Sequence, residues 1–410
     1  MKDYDVIIIG AGAAGLMAAV SAAKENASVL VIEHLNKLGK KILSTGNGKC
    51  NYTNRNQGVE FYRGSDPDFV LSSFEQMSQW DTISFFKELG IYPKEKNGYF
   101  YPYNEQATSV VEVFEMAVKN YGVNVLLECD LISVKKEKTF KITTTKGNFT
   151  GKNLIFACGL RAGRKTGNDG SAFQYIENFG HHFIDIVPAL VQMKSNESFL
   201  KNLAGIRAET ELKILINDRE VFKDHGELLH IDGGISGIVA FQGSRYAAYG
   251  VLYNKKVKAV IDYFPKESFR TLYEELELRF HTLGKNKTAL EAMIGFFPHK
   301  LVLSWYQRLN IDFKKPASSL SGKQLKELAN IIKATELKIT GTKEFESAQV
   351  CAGGVSTKEV NETTMESKIV PGLYFAGEVL DIDGMCGGFN LQWAWSSGYV
   401  AGHSAATKEK

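Results

Sequence analysis

The stretch that decides the fold runs from Tyr4 to Glu33 and reads YDVIIIGAGAAGLMAAVSAAKENASVLVIE. It begins with the β-branched run Val6-Ile7-Ile8-Ile9, which is typical of a buried parallel strand. A G-x-G-x-x-G turn follows at 10–15, and the alanine-rich residues after it predict a helix. A second apolar run then leads to Glu33. The order strand, glycine turn, helix, strand and acid predicts a dinucleotide-binding βαβ unit.

Each residue type in this unit has a physical role in holding a dinucleotide. Gly10 makes the tight turn, Gly12 lets the backbone approach a pyrophosphate, and Gly15 lets the helix pack against the strand. The free N–H groups and the positive end of the helix stabilise the phosphates. Glu33 follows Gly15 by 18 residues, the spacing of an acid that accepts hydrogen bonds from the adenosine ribose. One fingerprint of this kind predicts one resident dinucleotide.

Composition and charge exclude several classes of protein. The formal net charge is +3, and no basic run carries interleaved aromatic residues, so we expect no nucleic-acid partner. The five cysteines are scattered without a C-x-x-C pair, which argues against a zinc site, or any other metal site, and against a disulfide framework. The opening residues do not resemble a signal peptide, and Lys24-Glu25-Asn26 interrupts the first apolar stretch. We therefore expect a cytoplasmic protein with no membrane segment and no membrane partner.

The predicted fold class is α/β, a Rossmann-like FAD-binding domain with an inserted β-barrel-like domain and a helical subdomain. The pattern of predicted secondary structure changes at Pro188, where short strands separated by turn residues replace the βα units. We predict one helix over Phe69 to Leu89 and a turn at 233–237. The predicted domains are an FAD-binding domain, a β-rich substrate domain and a helical subdomain, at 1–187 with 351–410, 188–265 with 335–350, and 266–334.

Two further glycine-containing segments favour a flavin dinucleotide over NAD. The lysine- and glycine-rich segment 36–54 offers N–H groups and positive charge to anionic groups, although a solvated turn is the alternative. Near the C-terminus a buried strand ends in Gly377-Glu378, which can face ribityl hydroxyls and phosphate. The helix that starts near Leu391 can direct its N–H groups at a ring carbonyl of the flavin. Residues from both ends of the chain would then hold one elongated cofactor.

At this point the motifs resemble the BaiN-like flavoproteins, which include bile-acid enone reductases and aminoacetone oxidases. The resemblance rests on GAGAAG at 10–15, LGKK at 38–41, TGNGKCN at 45–51, KTG at 165–167, PGLYFAGE at 371–378 and GGFNLQ at 387–392. It implies a Rossmann-like FAD domain with a β-barrel and a helical subdomain, and an active site between them over the isoalloxazine. The residues expected at the cofactor are Gly10, Gly12, Ala13, Ala14, Gly15, Glu33, Lys40, Lys41, Thr45, Gly46, Gly48, Cys50, Asn51, Cys158, Gly159, Gly377, Glu378, Gly387, Gly388, Phe389, Asn390 and Leu391.

The chain departs from this family on the substrate side. Ile238 stands where the family has a proline, and Tyr99 follows Gly98 where many members have an arginine. Hydride transfer at flavin N5 requires a proton donor to complete an enone reduction. Four residues are weak candidates for this role, and a structural role is the alternative for each of them: Tyr99, Tyr101, His230 and Cys386.

Three functions follow as hypotheses. The first is an FAD-dependent reductase that takes electrons from NADH or NADPH and reduces a small-molecule enone such as a bile-acid-like steroid. The second is a flavin amine oxidase that releases peroxide, which the lack of a separate nicotinamide fingerprint favours. The third is a flavoprotein with structural FAD or a nucleic-acid-modifying role. The substrate, the redox partner, the proton donor and the oligomeric state are left open by the sequence.

Overall fold

A computed structural model describes residues 2–163 and 166–408 of the chain. These residues form two compact units, the first at Met1–Val187 with Gln349–Lys410 and the second at Pro188–Ala348. Lys165, which belongs to one of the motifs above, lies outside the described residues. The predicted division of the second part into a β-rich and a helical subdomain stays a prediction.

The strands are numbered in chain order. They are β1 Lys2–Ile9, β2 Val29–Ile32, β3 Thr53–Asn54, β4 Tyr62–Arg63, β5 Pro93–Lys96, β6 Tyr99–Pro102, β7 Asn124–Leu126, β8 Leu131–Lys136, β9 Phe140–Thr144, β10 Gly147–Phe156, β11 Phe183–Ala189, β12 Met193–Ser195, β13 Arg207–Ile216, β14 Arg219–Ile231, β15 Gly234–Ser236, β16 Val257–Asp262, β17 Thr335–Thr342, β18 Val350–Val355, β19 Leu373–Phe375 and β20 Asp383–Gly384.

The α-helices are numbered in the same way. They are α1 Ala13–Lys24, α2 Val70–Gln76, α3 Gln79–Glu88, α4 Ala107–Asn120, α5 Phe173–Asn178, α6 Leu200–Leu203, α7 Ile238–Leu252, α8 Phe269–Glu277, α9 His299–Arg308, α10 Gly322–Lys333 and α11 Phe389–Thr407.

The first unit is built around a seven-stranded sheet in the order β7-β2-β1-β10-β9-β8, with β19 also paired to β10. β1 pairs in parallel with both β2 and β10, and β19 pairs in parallel with the end of β10. The beginning of β10 pairs antiparallel with β9, so the antiparallel strands β8 and β9 join the parallel sheet through one long strand. All four residues of β2 are buried, as a strand covered on both faces requires. The predicted α/β class is confirmed.

The second unit contains a closed six-stranded barrel in the order β12-β15-β14-β13-β16-β17. The predicted turn at 233–237 is wrong in its extent, because the turn lies at Asp232 and Gly233, and residues 234–236 form the strand β15 between β12 and β14. The helix α7 follows directly and was not predicted. Its sequence contains two glycines and several β-branched or aromatic residues, so intrinsic helix propensity gives a weak signal there.

The helix predicted over Phe69 to Leu89 is also wrong in its extent. It is divided into α2 and α3, because Ser78 caps the second helix. The Ser78 hydroxyl accepts a hydrogen bond from the Asp81 backbone N–H, and the Asp81 carboxylate accepts one from the Ser78 N–H. This reciprocal capping box begins a new helix inside a continuous apolar pattern.

Candidate functional site

The glycine turn leads into α1 with the geometry that the sequence predicts for a dinucleotide. Gly10 has a φ of +100°, and a Cβ on it would lie 2.7 Å from the Ala157 carbonyl oxygen. A Cβ on Gly15 would lie 1.9 Å from the Gly10 oxygen, so both positions require glycine. A Cβ on Gly12 would meet nothing within 4 Å. Space is therefore open at the position where a pyrophosphate would approach the backbone.

The N-terminus of α1 carries no side-chain cap. Gly12 is its N-cap residue, and its first turn, which contains Ala13 and Ala14, has no acidic residue. The first backbone N–H groups of such a helix are left for a ligand or for water. An unblocked positive helix end is what a phosphate-binding site needs.

Glu33 lies directly after β2, beside the glycine turn. It is buried, and one carboxylate oxygen accepts a hydrogen bond from the Ala11 N–H at 2.7 Å. The other oxygen accepts one from the Leu35 N–H at 2.9 Å. The carboxylate is thus fixed at the end of the strand, where a ribose would lie. Its bond to the Ala11 N–H also stabilises the glycine turn.

The segment 37–51 lies against this turn. The Gly39 N–H donates to the Ala11 carbonyl at 2.9 Å, and the segment Ile42–Gly48 follows with two 3-10 turns that are separated by a kink at Thr45. The Lys41 ammonium lies 2.5 Å from a Glu378 carboxylate oxygen, and the other Glu378 oxygen accepts from the Cys351 N–H at 2.9 Å. The charge of Lys41 is therefore balanced within the protein. The neighbouring Lys40 is half-buried and forms no ion pair with the residues that the structure describes.

The second helix N-terminus that the sequence predicted belongs to α11. Gly388 is its N-cap residue, with a φ of +93°, and the helix has neither a side-chain cap nor an acid in its first turn. The first turn comprises Phe389, Asn390 and Leu391. Asn390 is engaged structurally, because its side-chain amide bonds both the N–H and the carbonyl of Gly384 at 2.8 and 2.7 Å. The backbone N–H groups of this turn are available to a ligand.

Asn51 lies beside this second helix end. Its side-chain oxygen is buried and has no hydrogen-bond partner among the described residues. An ideal Cβ on Gly388 would lie 3.0 Å from that oxygen. A buried amide oxygen without a partner is costly, so it marks a place where a ligand or water completes the bonding.

The two uncapped helices of the first unit are neighbours, because α11 packs against α1. A Cβ on Gly398 would lie 2.5 Å from the Ala14 oxygen, and one on Gly377 would lie 2.7 Å from the Ala14 Cβ. Gly388 is ten residues before Gly398, which is roughly 15 Å along a helix axis. The uncapped helix ends, the unpartnered Asn51 oxygen and the buried Glu33 thus suit an elongated dinucleotide such as FAD. The residues that would hold it come from both ends of the chain.

The thiols expected near the cofactor are poor nucleophiles. Burial raises the pKa of Cys50 to about 12 and the pKa of Cys158 to about 12. Both thiols stay protonated at neutral pH, so their contribution to a cofactor site would be packing. Cys158 and Gly159 follow β10, at the carboxyl end of a parallel strand. Cys386 is half-buried between β20 and α11, and its proposed chemical role stays a prediction.

Two of the four candidate proton donors lie next to glycines of the predicted cofactor segments. Tyr99 and Tyr101 are both half-buried on one face of β6. A Cβ on Gly387 would lie 3.0 Å from a Tyr99 ring carbon, and one on Gly46 would lie 3.7 Å from a Tyr101 ring carbon. Burial raises the pKa of Tyr101, so its phenol keeps its proton. The two tyrosines thus lie among the predicted cofactor residues. Gly48, another of these residues, follows Gly46 by two positions in the same segment.

His230 has a structural environment in the second unit. It is fully buried in the barrel, and its ring nitrogens lie 3.0 Å from the Ile206 carbonyl oxygen and 2.7 Å from the Tyr263 hydroxyl. Burial lowers its pKa. With both nitrogens engaged and no exposed surface, His230 has no atom left for a substrate proton.

Sequence reasoning gave no role to a buried polar network that supports the α11 end. The Gln392 side-chain oxygen accepts from the Thr53 hydroxyl at 2.5 Å, and its amide donates to Thr82 at 2.9 Å and Ser396 at 2.8 Å. Asn54 donates to the Gly387 carbonyl at 2.8 Å. The sequence did offer one indication of this network, because Gln392 stands in a helix that otherwise consists mostly of apolar and small residues. Such a residue must find partners when it is buried.

Residues 2–163 and 166–408 contain neither a cluster of metal-ligating side chains nor a helix that could span a membrane. No group of three or more His, Cys, Asp or Glu in these ranges could hold a metal ion. No helix in them is long and apolar enough to cross a membrane.

The chain matches known proteins over nearly its whole length. A family model described as the HI0933-like protein Rossmann domain matches residues 4–404. The chain is 38% identical over 407 residues to a 3-dehydro-bile acid delta(4,6)-reductase from Clostridium scindens, with 98% of each chain covered. It is 33% identical over 410 residues to a ribosomal RNA dihydrouridine synthase from Haemophilus influenzae, again with 98% of each covered.

A solved structure shares the fold. The 3-ketosteroid-delta4-(5alpha)-dehydrogenase from Rhodococcus jostii, in complex with 4-androstene-3,17-dione, matches with a TM-score of 0.50 and 13% identity over 99% of this chain and 97% of that chain. At this identity the match concerns the fold alone. The resemblance inferred from the motifs is confirmed by the family model and the relatives together. The chain therefore belongs to the HI0933-like family of Rossmann-domain proteins.

Proposed function

We propose that the chain is an FAD-dependent reductase that adds hydrogen across a C=C bond conjugated to a carbonyl group. The proposed substrate is a 3-oxo steroid or bile-acid-like enone, and the proposed electron donor is NADH or NADPH. The observation that carries the proposal is the 38% identity, over 98% of both chains, to a reductase named for 3-dehydro-bile acids. The two uncapped helix ends of the first unit support FAD as the cofactor.

The chain's own residues would bind the cofactor and deliver a proton. A bound flavin supplies the hydride in this class of reaction. The N-terminus of α11 stabilises negative charge next to its first turn, by roughly 0.3–1 kcal/mol at an exposed helix end. Tyr99 and Tyr101 are phenols that can donate a proton to the α-carbon of an enone. We propose them as the candidate acids because Tyr99 lies beside Gly387 and Tyr101 lies beside Gly46.

Anaerobic spectroscopy tests this proposal. We expect NADH or NADPH to bleach the flavin absorbance of the purified protein, and a 3-oxo-4,6-diene steroid to restore it. Failure of both nicotinamides to bleach the flavin, with or without the dienone, would contradict the proposal. Release of peroxide in air from a small aminoketone, without reduction by NADH or NADPH, would support the amine oxidase instead.

Variants separate the role of the tyrosines from that of the cofactor site. If one of them is the acid, Tyr99→Phe or Tyr101→Phe slows reoxidation by the dienone about 100-fold while the rate of flavin reduction is unchanged. Tyr121→Phe is the control, since Tyr121 is exposed at the end of α4. Rates within a few-fold of the parent for both variants would assign the proton to another donor.

A second candidate function is the reduction of uridine in ribosomal RNA. It is favoured by the 33% identity over 98% of both chains to a ribosomal RNA dihydrouridine synthase. The chemistry is related, because the C5=C6 bond of uracil is conjugated to the C4 carbonyl. The expectation of no nucleic-acid partner therefore stays a prediction. Incubation with NADPH and an unmodified ribosomal RNA transcript, followed by mass spectrometry for two added hydrogens on uridine, distinguishes the two substrates.

A further inference from the structure

Residues 278–315 of the second unit concentrate positive charge. They contain seven Lys and Arg residues and two acidic residues, whereas the formal net charge of the whole chain is +3. The rest of the chain is therefore slightly acidic. A local excess of this kind attracts polyanions even when the whole protein is nearly neutral.

Four lysines of this region are available to a partner. Lys285, Lys287 and Lys314 are exposed and Lys315 is half-buried, and none of the four forms an ion pair with the residues that the structure describes. Arg279 differs, because its guanidinium lies 2.6 Å from the Glu275 carboxylate. The two acids of the region bond to nearby backbone: Glu291 accepts from the Thr288 N–H at 2.7 Å and Asp312 from the Lys314 N–H at 2.9 Å.

Exposed apolar side chains accompany these lysines. Leu278 is 43% exposed, Leu283 57%, Ile294 69% and Phe313 39%. Leu283 lies two residues before Lys285, and Phe313 adjoins Lys314. Single exposed apolar residues are ordinary, but several within one short region, next to unpaired cations, indicate an interaction surface.

Backbone hydrogen bonds hold the two parts of this surface side by side. The Leu290 N–H donates to the Phe313 carbonyl at 3.1 Å, and the Ala289 N–H donates to the Lys315 carbonyl at 2.8 Å. The Ala317 N–H donates to the Lys287 carbonyl at 2.8 Å. The segments around 287 and 315 thus run next to each other. We call Leu278, Leu283, Ile294 and Phe313 with the four lysines the cap patch.

We propose that the cap patch binds the surface of an anionic lipid bilayer. Aliphatic side chains can enter the boundary between headgroups and acyl chains, while lysines keep their ammonium groups among the lipid phosphates. A surface for single-stranded nucleic acid would instead present stacked aromatic faces and arginine. The cap patch as defined has one aromatic ring and no arginine, and Arg308 of the same region lies with its guanidinium 4.4 Å from the Phe199 ring. Its chemistry therefore matches lipid. This proposal does not depend on the proposed reductase reaction.

Vesicle sedimentation with the full-length protein tests the proposal. We expect binding to vesicles of phosphatidylcholine and phosphatidylglycerol in equal parts, little binding to pure phosphatidylcholine, and loss of binding at high salt. Removing a lysine near an anionic surface weakens partitioning about five-fold, so the double variant Lys285→Gln with Lys287→Gln should bind about 25-fold more weakly. Leu283→Ser should weaken binding about tenfold.

The control is a variant with the same change of charge elsewhere. Lys119→Gln with Lys138→Gln removes two exposed lysines from the first unit and should leave vesicle binding unchanged. Equal loss with the control pair, or no binding to anionic vesicles at low salt, would overturn the proposal. A different result would also overturn it: the protein binds a labelled RNA oligonucleotide but no vesicles, and the Lys285 and Lys287 substitutions abolish the RNA binding.

Discussion

At the scale of single residues, Glu33 is the acid on which the glycine turn depends. Its two oxygens accept hydrogen bonds from the Ala11 and Leu35 N–H groups in a buried position. In Glu33→Gln one oxygen becomes an NH₂ group that cannot accept, so a buried N–H loses its partner. We expect the free energy of unfolding of the flavin-free protein to fall by about 1–3 kcal/mol, and FAD affinity to fall as well. Chemical denaturation and flavin titration measure the two effects.

The matched substitution for this prediction is Glu88→Gln. Glu88 forms an exposed ion pair with Lys24, and its side chain is 67% exposed. Such pairs contribute about 0–1 kcal/mol, so this variant should unfold almost like the parent. Equal stability of the Glu33 and Glu88 variants would mean that the buried carboxylate does not support the turn.

Two buried histidines make the stability depend on pH. Burial lowers the pKa of His181, which bonds Glu359 and Ser367, and burial also lowers the pKa of His230. Below about pH 6.5 the unfolded chain binds protons that the folded protein does not bind at these sites. The free energy of unfolding should therefore fall as the pH decreases from 7 to 5, by up to about 1.4 kcal/mol per pH unit for each histidine.

Denaturation at several pH values measures this dependence. His181→Gln and His230→Gln should each flatten the slope, although both lower stability at pH 7 because buried hydrogen bonds are lost. His299→Gln changes an exposed histidine at the start of α9 and should leave the stability at pH 7 close to that of the parent. A stability that is the same at pH 5 and pH 7 would contradict the prediction.

At the scale of elements, the contact between α1 and α11 depends on small residues. A Cβ on Gly402 would lie 2.2 Å from the Ala18 carbonyl oxygen, and one on Gly398 would lie 2.5 Å from that of Ala14. Gly402→Ala should force the helices apart and lower the free energy of unfolding by about 1–3 kcal/mol. It should also weaken FAD binding, because the predicted cofactor residues begin both helices. Denaturation and flavin titration test both effects.

A glycine in another helix provides the comparison. Gly322 begins α10, is exposed, and has the flexible Tyr273 hydroxyl as the nearest atom to its Cβ position, at 3.2 Å. Gly322→Ala should be neutral or slightly stabilising, since alanine is the better helix former. If Gly402→Ala behaves in the same way, the close helix contact is not a constraint.

At the scale of the whole molecule, one cofactor would join residues that are far apart in the chain. Adding FAD to the flavin-free protein should slow backbone hydrogen exchange at 10–15, 37–51 and 387–391 together, since a ligand that binds only the folded form stabilises the elements that it contacts. Exchange at 278–315 should be unchanged. Mass spectrometry of peptic fragments measures this pattern. Protection confined to the first two segments would remove α11 from the cofactor site.

The sequence alone determined the features that depend on neighbouring residues. The strand before Gly10, the glycine turn, the helix after it and the acid at Glu33 lie within 30 consecutive residues, and each has a pattern of its own. The change from βα units to short strands near 188 likewise follows from local patterns. These patterns were enough to predict the α/β class, the dinucleotide site and the family.

Tertiary structure decided everything that depends on contacts between distant segments. The three residues of β15 become a strand only because β12 and β14 pair with them, and α7 forms beside the barrel despite a weak helix signal. His230 became a core residue because Tyr263 and Ile206 meet it. Asn51 and Gly388 are separated by more than 300 residues, and contacts such as the bonds from Thr53 to Gln392 and from Asn54 to Gly387 bring them together. Local sequence patterns do not predict such contacts, because these contacts stabilise the protein only after distant segments have come together in the folded chain.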